Sequence, residues 1–526
     1  MEKVTKFDLG DYIKLPNPSL LAYFGRTEQG NTEDYRPPFW EGKSRDEVVE
    51  QWTTILEAGK VDSVVPGLMA FEEEMRNKIG PLSIQDPLEA RLPKIEEYWQ
   101  DVKLASVPID DRAIQAFSVK LKPIKAQLRS IGNTIAHMRL NTNSGAPYFM
   151  KRRQVAGRDE LAQQISWARE LLKKDQLLPA ILGWRGQEGG PNVDDVKQRT
   201  LFMFPFIYNV QELTLYQPLI ELWQHYHINP AYESTRAVEE KITRLFDTKG
   251  DEYVVCTDFT GFDQHFNPDL QEGARKLLKF QTYGGDDWFA TVFNIKYEIP
   301  LLCDKSLMIT GRHGMGSGSG GTNFDECLAH GALQYEAAIN KGVSLNPYSN
   351  AYGDDGYLSY PGIDVDDVIS TYSSHGQVMN PSKQSVDKHS AVYLRRYFHD
   401  SYRDKDGIML GVYSTERALG RLLGQERYVS FEPGSGDYAR YVVLRALSII
   451  ENCSSHPMFK EFIEFVLKGD RYKLGLAIPG FLNSLGKEVK KAMEADSDLL
   501  GFTKTLRGEY RGINDWKVVQ YLRSKR

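Results

Sequence analysis

Apolar and polar positions along the chain predict helical lobes around a small strand-bearing centre. Between Asp159 and Leu172 apolar residues recur at three- and four-residue steps, the period of a helix with one buried face, and the stretch 67–190 reads mostly helical. The first 66 residues are rich in Pro and Trp with few periodic stretches, which predicts an extended arm laid over a body. Residues 191–310 mix strands and helices, and EYVVCTDF (Glu252–Phe259) is the clearest buried strand. A glycine-rich loop, Gly311–Gly321, leads into a helix that runs to about Lys341 and stops at Gly342. Asn350–Tyr360 alternates about a Gly-Asp-Asp centre, the signature of a hairpin. Beyond about residue 401 the pattern is mainly helical, interrupted by a Gly/Pro/Ser loop at Glu432–Asp437. Such an order predicts an α+β fold, not a repeat protein or a sandwich.

Length adds that 526 residues need two to four subdomains. With 41% hydrophobic and 26% charged residues and a mean hydropathy of −0.45, the composition is that of an ordinary globular protein. No apolar run is long enough to span a membrane, and the charged, Pro-broken N-terminus lacks the apolar core of a secretory signal. Cys256, Cys303, Cys327 and Cys453 are far apart and show no CxxC spacing; they read as reduced thiols in a cytosolic compartment.

The net charge of −6 changes meaning once it is placed along the chain. From Arg112 to Lys174 there are 13 Lys or Arg against three acids. Such a segment is either a solvated helix face or the lining of a channel for phosphates.

Candidate chemistry begins at Tyr352-Gly353-Asp354-Asp355-Gly356. Two adjacent carboxylates at a hairpin tip repel each other, and a divalent cation would relieve that; a solvated Asp-Gly turn is the plain alternative. Asp258, at the end of the buried strand, adjoins mostly apolar residues and needs a cation or a partner. Asp263 follows the turn Thr260-Gly261 at an expected helix start, where it could equally be a cap. Ser317-Gly318-Ser319-Gly320-Gly321-Thr322 ends the glycine loop, with Thr322 opening the next helix and Asp325 as its capping-box partner. The order of strand-end acid, glycine loop with helix, and Asp-Asp hairpin fits two metals held by Asp258, Asp354 and Asp355 for phosphoryl transfer.

These residues resemble the motifs of viral RNA-dependent RNA polymerases, nearest to those of picobirnaviruses, with echoes of partitivirus and picornavirus enzymes. The likeness covers roughly residues 140–400, with seven motifs in order. Thr142-Asn143-Ser144-Gly145-Ala146-Pro147 is similar to the motif where template enters, which implies RNA contacts by Thr142, Ser144, Gly145 and Pro147 and turns Lys151, Arg152 and Arg153 toward the template backbone. Lys197-Gln198-Arg199, with Arg185, resembles the basic finger motif that holds the incoming triphosphate. DFTGFD, SGSGGT and AYGDDG resemble the first three palm motifs; Ser317, Gly318 and Thr322 then join Asp263 at the nucleotide. HGQVMNPSKQS resembles the fourth, which makes Lys383 the candidate general acid for pyrophosphate. Tyr393-Leu394-Arg395-Arg396-Tyr397-Phe398 resembles the fifth, with Arg395 and Arg396 on the RNA strand. One departure stands out: Glu326 occupies the position where many relatives carry an asparagine that relays a hydrogen bond to the second acid of the first motif.

The resemblance implies a right-hand fold of fingers, palm and thumb, with a closed fingers–thumb arrangement and an N-terminal arm. Its expected parts are 1–66, an arm bridging fingers and thumb; 67–215, fingers; 216–298, first part of the palm; 299–313, a fingers insertion; 314–400, second part of the palm; and 401–526, thumb and C-terminal tail. It implies two Mg2+ ions during catalysis (Mn2+ substituting), template and product RNA, ribonucleoside triphosphates, and a viral capsid protein as a further partner. The place of action is then the host cytoplasm and the virion interior. The loop Phe431–Tyr438 and the tail with Tyr510 and Trp516 are either initiation platforms or ordinary connections. A reverse transcriptase shares the palm but usually has an aromatic gate where this chain has Asp263. A non-catalytic RNA-binding protein with a decayed polymerase fold should have lost its acids first.

Overall fold

A computed structural model describes residues 1–100, 105–426, 435–495 and 512–525; residues 431–434 and Tyr510, named above, lie outside the described residues. The chain forms two units. The first comprises residues 1–29, 87–184 and 200–393, the second residues 30–86, 185–199 and 394–526.

The strands that matter are, in chain order, β1 (Glu2–Val4), β2 (Ala180–Gln187), β3 (Lys197–Met203), β4 (Val254–Thr257), β5 (Leu301–Leu302), β6 (Met308–Thr310), β7 (Asn350–Tyr352), β8 (Asp355–Leu358) and β9 (Ser385–Asp387). They form a five-stranded sheet ordered β1-β6-β5-β2-β3 and a four-stranded sheet ordered β7-β8-β4-β9. In the smaller sheet every pairing is antiparallel. β4 is flanked on both sides and all four of its residues are buried, so its sequence is an unbroken run, as expected of an inner strand. The run ends at Thr257, and Asp258 emerges exposed.

The helix Thr322–Asn340 packs beneath this sheet with 14 buried residues, and it stops at Lys341 with Gly342 at φ 74°. Its start differs from the expected capping box. Gly321 is the N-cap with no side-chain bond, and Asp325 is buried against Lys296 instead. Asp263 likewise opens no helix: it lies in a turn, and the next helix, Pro268–Phe280, is capped by Asn267, whose Oδ1 accepts from the Asp269 and Leu270 amides. The periodic stretch near Asp159 is a helix over Arg158–Leu172. Residues 1–66, read as an extended arm, contain the helices Pro18–Gln29 and Arg45–Ala58. The second of these carries a capping box, Ser44 with Glu47, a signal that hydrophobic periodicity does not reveal.

The second unit is largely helical. At its centre Glu72, wholly buried, accepts from the Thr415 and Glu416 amides and so supplies the anion that the start of the Thr415–Leu423 helix favours. His456 Nε2 lies 2.9 Å from the same carboxylate. All four cysteines are buried and unpaired with one another, as the spacing predicted.

Candidate active site

Strand register brings the acids to one end of the smaller sheet. β4 pairs with β8 through Val255↔Leu358, Cys256↔Tyr357 and Thr257↔Gly356, so continuing the register by one residue sets Asp258 against Asp355. β7 and β8 close on Tyr352↔Asp355, which leaves Gly353 and Asp354 as the turn. Asp258 and Asp354 are exposed, and Asp355 is half-buried. Like charges set across neighbouring strands disfavour pairing. A hard divalent cation relieves that repulsion, and a set of carboxylates open to solvent suits an ion of the magnesium type, which keeps positions for water and substrate oxygens. Among the described residues no group of three or more His, Cys, Asp or Glu side chains is already gathered closely enough to hold a metal ion. Carboxylates of this kind, open to solvent, suit an ion that substrate oxygens and water help to coordinate.

Gln384 holds the Asp258 backbone in place. Its Oε1 accepts from the Asp258 amide at 2.9 Å, and its Nε2 donates to the Asp258 carbonyl at 2.8 Å. Lys383, the candidate general acid, precedes it on the short helical turn Pro381–Lys383 and is exposed.

Asp263 sits against the glycine loop. Ser317 Oγ donates to Asp263 Oδ2, and the Met315 amide donates to the Asp263 carbonyl at 2.8 Å. Gly318 is required there: its φ is +124°, and a Cβ would stand 2.0 Å from the Phe202 carbonyl oxygen. Thr322, half-buried, directs its hydroxyl back to the Gly316 and Ser319 carbonyls at 3.4 Å each. Glu326, at the departure position, is 5% exposed. Burial, and after it the charge of Asp263, push its carboxyl well above the usual carboxylate range. The position where relatives carry an asparagine is thus held by a buried carboxyl whose charged form its surroundings disfavour.

Sequence reasoning missed the frame behind this loop. Glu212, on the helix Phe206–His225 and wholly buried, accepts from Ser319 Oγ at 2.6 Å and from the Gly320 amide at 2.8 Å. Ser319 is thereby engaged by the protein. Asn209 donates to Glu212 at 3.3 Å and to the Gly318 carbonyl at 3.2 Å, and accepts from Arg152 Nη2 at 2.6 Å. Next to this frame, Lys296 and Asp325 form an ion pair at 3.1 Å with no exposed surface, and the Tyr216 hydroxyl, from the Glu212 helix, bonds to both. A Glu in the run FIYNVQELTLY and the Lys of FNIKY were readable signals, since an isolated charge in an apolar stretch needs a buried partner.

The remaining candidates divide by exposure. Ser144, Gly145 and Pro147 are buried, and Ser144 bonds with Met150 through its main chain at 2.7 Å, so they build a turn and offer no exposed side chain to a strand. Thr142 is half-buried, and Lys151 and Arg153 are exposed. Arg152 is half-buried, with its guanidinium 5.7 Å from the centre of the Phe206 ring. In the second unit, Lys197 and Arg199 are exposed on β3, and Arg185 on β2 is exposed and lies 3.7 Å from Glu426. Arg395 is exposed at φ 63°, whereas Arg396 donates to the Gly411 and Asn452 carbonyls at 3.1 and 3.0 Å.

Comparison with known proteins agrees with this arrangement. Residues 113–408 match the sequence profile of the viral RNA-dependent RNA polymerase family. A "Potential RNA-dependent RNA polymerase" of Human picobirnavirus (strain Human/Thailand/Hy005102/-) is 46% identical over 530 residues, which cover 98% of each chain. The crystal structure of the RNA-dependent RNA polymerase of a human picobirnavirus superposes with a TM-score of 0.89 at 44% identity, covering 98% of this chain and 99% of that one. An insertion-loop deletion mutant of the RNA-dependent RNA polymerase of a human picobirnavirus gives 0.87 at 43%, with the same coverage. Polymerases of this family generally use divalent metal ions and act on RNA and nucleotides. Among the described residues no helix is long and apolar enough to cross a membrane. With the acids on one sheet end, the glycine loop framed behind them and relatives matching along nearly the whole length, the chain belongs to the viral RNA-dependent RNA polymerases and has their right-hand fold.

Proposed function

We propose that Asp258, Asp354 and Asp355 hold two Mg2+ ions for nucleotidyl transfer from ribonucleoside triphosphates to an RNA 3′-hydroxyl. The observation that carries this reading is the register: Thr257↔Gly356 and Tyr352↔Asp355 make the three acids neighbours on adjacent strands. When bound, such ions lower the pKa of the attacking hydroxyl and offset charge on the leaving pyrophosphate. The chain's own residues do the rest. Gln384 keeps Asp258 at the strand end. Asp263, held by Ser317, accepts a hydrogen bond from the ribose 2′-hydroxyl. Gly318 and Thr322 shape the nucleotide floor, Lys197, Arg199 and Arg185 bind the triphosphate, and exposed Lys383 delivers a proton to pyrophosphate. Thr142, Lys151, Arg153, Arg395 and Arg396 take up RNA phosphates.

In this reading the fingers, palm and thumb follow the boundaries given above, the enzyme copies and transcribes a viral genome in the host cytoplasm and within the particle, and a capsid protein is a further partner. The test is synthesis by purified protein on a template RNA with the four ribonucleotides. We expect product that requires a divalent ion in the wild type and none from Asp258→Asn, with template affinity retained. Full-rate synthesis by that variant would refute the assignment of the acid.

A further inference from the structure

The two acid-bearing strand ends are joined from below by one side chain. His330, two turns into the Thr322–Asn340 helix, has no exposed surface. Its Nδ1 lies 2.9 Å from the carbonyl oxygen of Gly353, the residue before Asp354. Its Nε2 lies 3.3 Å from Oγ1 of Thr257, the residue before Asp258. A carbonyl oxygen can only accept, so Nδ1 carries the proton and Nε2 is the acceptor facing the Thr257 hydroxyl. That hydroxyl is also 3.4 Å from the Gly356 carbonyl, one pair inside the Asp258–Asp355 step.

Three further features hold the ring to this task. Phe259, Phe262 and Tyr372 surround it, with ring centres 5.3, 5.8 and 5.6 Å away. Gly356 leaves room for it: a Cβ there would fall 2.6 Å from Cε1 and 2.7 Å from Nε2 of the imidazole. The N–H side of Gly353 is held from the same helix, where Cys327 Sγ accepts from the Gly353 amide at 3.3 Å. Cys327 and His330 stand three residues apart, and so share a helix face. The residue that precedes Asp354 is thus gripped at both its N–H and its C=O by side chains of one helix.

We propose that His330 is a positioning residue that sets the distance between the strand ends carrying Asp258 and Asp354, and so the geometry in which the acids receive a divalent ion. This rests on the reading of those acids as ligands. Groups that orient metal ligands from behind typically govern affinity by about 10–100-fold, whereas a histidine that merely fills the core affects stability and leaves metal binding alone.

The experiment compares the full-length wild type with His330→Phe, which keeps a ring but loses both bonds, and His330→Asn, which retains a donor near the Nδ1 position. Mn2+ uptake by the RNA-free protein is titrated by electron paramagnetic resonance. The Mg2+ concentration for half-maximal synthesis, template affinity and the urea midpoint are measured beside it. We expect His330→Phe to weaken Mn2+ uptake about 10-fold or more and to raise the Mg2+ requirement in parallel at unchanged template affinity. His330→Asn should recover most of that loss. If His330→Phe fails to fold, Thr257→Val, which removes one hydroxyl, carries the test with an expected shift of about 3-fold or more. Wild-type Mn2+ uptake in His330→Phe, or in Thr257→Val where that variant carries the test, overturns the proposal. Asp354→Ala separates the two claims: if it also binds Mn2+ like the wild type, the acid-site reading itself has failed, and the positioning role falls with it.

Discussion

Asp354 and Asp325 are carried by neighbouring elements of the first unit, and their surroundings are opposite. Asp325 is wholly buried and fully answered: Lys296 at 3.1 Å, the Tyr216 hydroxyl at 2.7 Å and the Tyr297 hydroxyl at 2.7 Å. Lys296 in turn donates to the Phe293 carbonyl at 2.8 Å. Asp354 is exposed at a hairpin turn, beside Asp355 and across from the strand end that carries Asp258. One acid has its cation built in and serves the fold. The other stands at the surface beside two more carboxylates, a grouping that a divalent cation from solution stabilises.

Exchanging charge for neutrality at each place should therefore give crossed results. Asp354→Asn should lower synthesis by about a thousand-fold or more, because cations and positioning supply most of the catalysis of phosphoryl transfer. Its unfolding midpoint should stay within experimental spread of the wild type. Lys296→Met should do the reverse, costing about 3–5 kcal/mol of stability by stranding a buried carboxylate. The protein that remains folded should have near-normal activity per molecule. Urea unfolding and initial rates on the same preparations check both, and a stable Lys296→Met variant with dead chemistry would break the contrast.

Much of the exposed half of this comparison was legible in the chain. Val254-Val255-Cys256 announces an inner strand, and Gly353-Asp354-Asp355 between alternating residues announces a hairpin, since both depend on nearest neighbours along the sequence. In the buried half the isolated charges were legible but their pairings were not. Asp325 was read as the capping-box partner of Thr322 because its spacing fits that role, but Lys296, 29 positions earlier, claimed it. The pairings of Glu212 and His330 were equally invisible, since their partners, Ser319 and Gly320 for one, Thr257 and Gly353 for the other, come from distant parts of the chain. Local patterns locate the acids, whereas tertiary bonds that aim them leave no periodic trace. The helices within the first 66 residues were missed for a local reason, a Pro- and Trp-rich background that masks the capping box at Ser44.

Asp263 lies between the two extremes, half-buried and bonded by Ser317. Removing it should cost less than removing Asp354. A hydrogen bond from a hydroxyl to a carboxylate is worth about 1.5–3 kcal/mol, so Asp263→Ala should lower the preference for ribonucleotides over deoxyribonucleotides by about 10–100-fold. Ratios of kcat/KM for matched triphosphates measure this directly, and an unchanged ratio would transfer sugar selection to another residue.

The same contrast of inward and outward charge applies to the cations at 151–153, where the effects should be smallest. Lys151 and Arg153 are exposed, while Arg152 lies on the Phe206 ring and donates to Asn209, which reaches the glycine loop through Glu212 and Gly318. An exposed cation that neutralises a phosphate releases counterions, so its loss should reduce the slope of log affinity against log salt by about 0.7 for single-stranded RNA. Lys151→Gln and Arg153→Gln should each show that change, with urea midpoints unmoved. Arg152→Gln should leave the slope nearly intact and instead lower the midpoint and the rate, since it removes a support behind Ser319 and Gly320 and not a hold on RNA. Equal slope changes at all three positions would mean that Arg152 leaves Asn209 to meet the template, and that its inward bond belongs to the RNA-free protein.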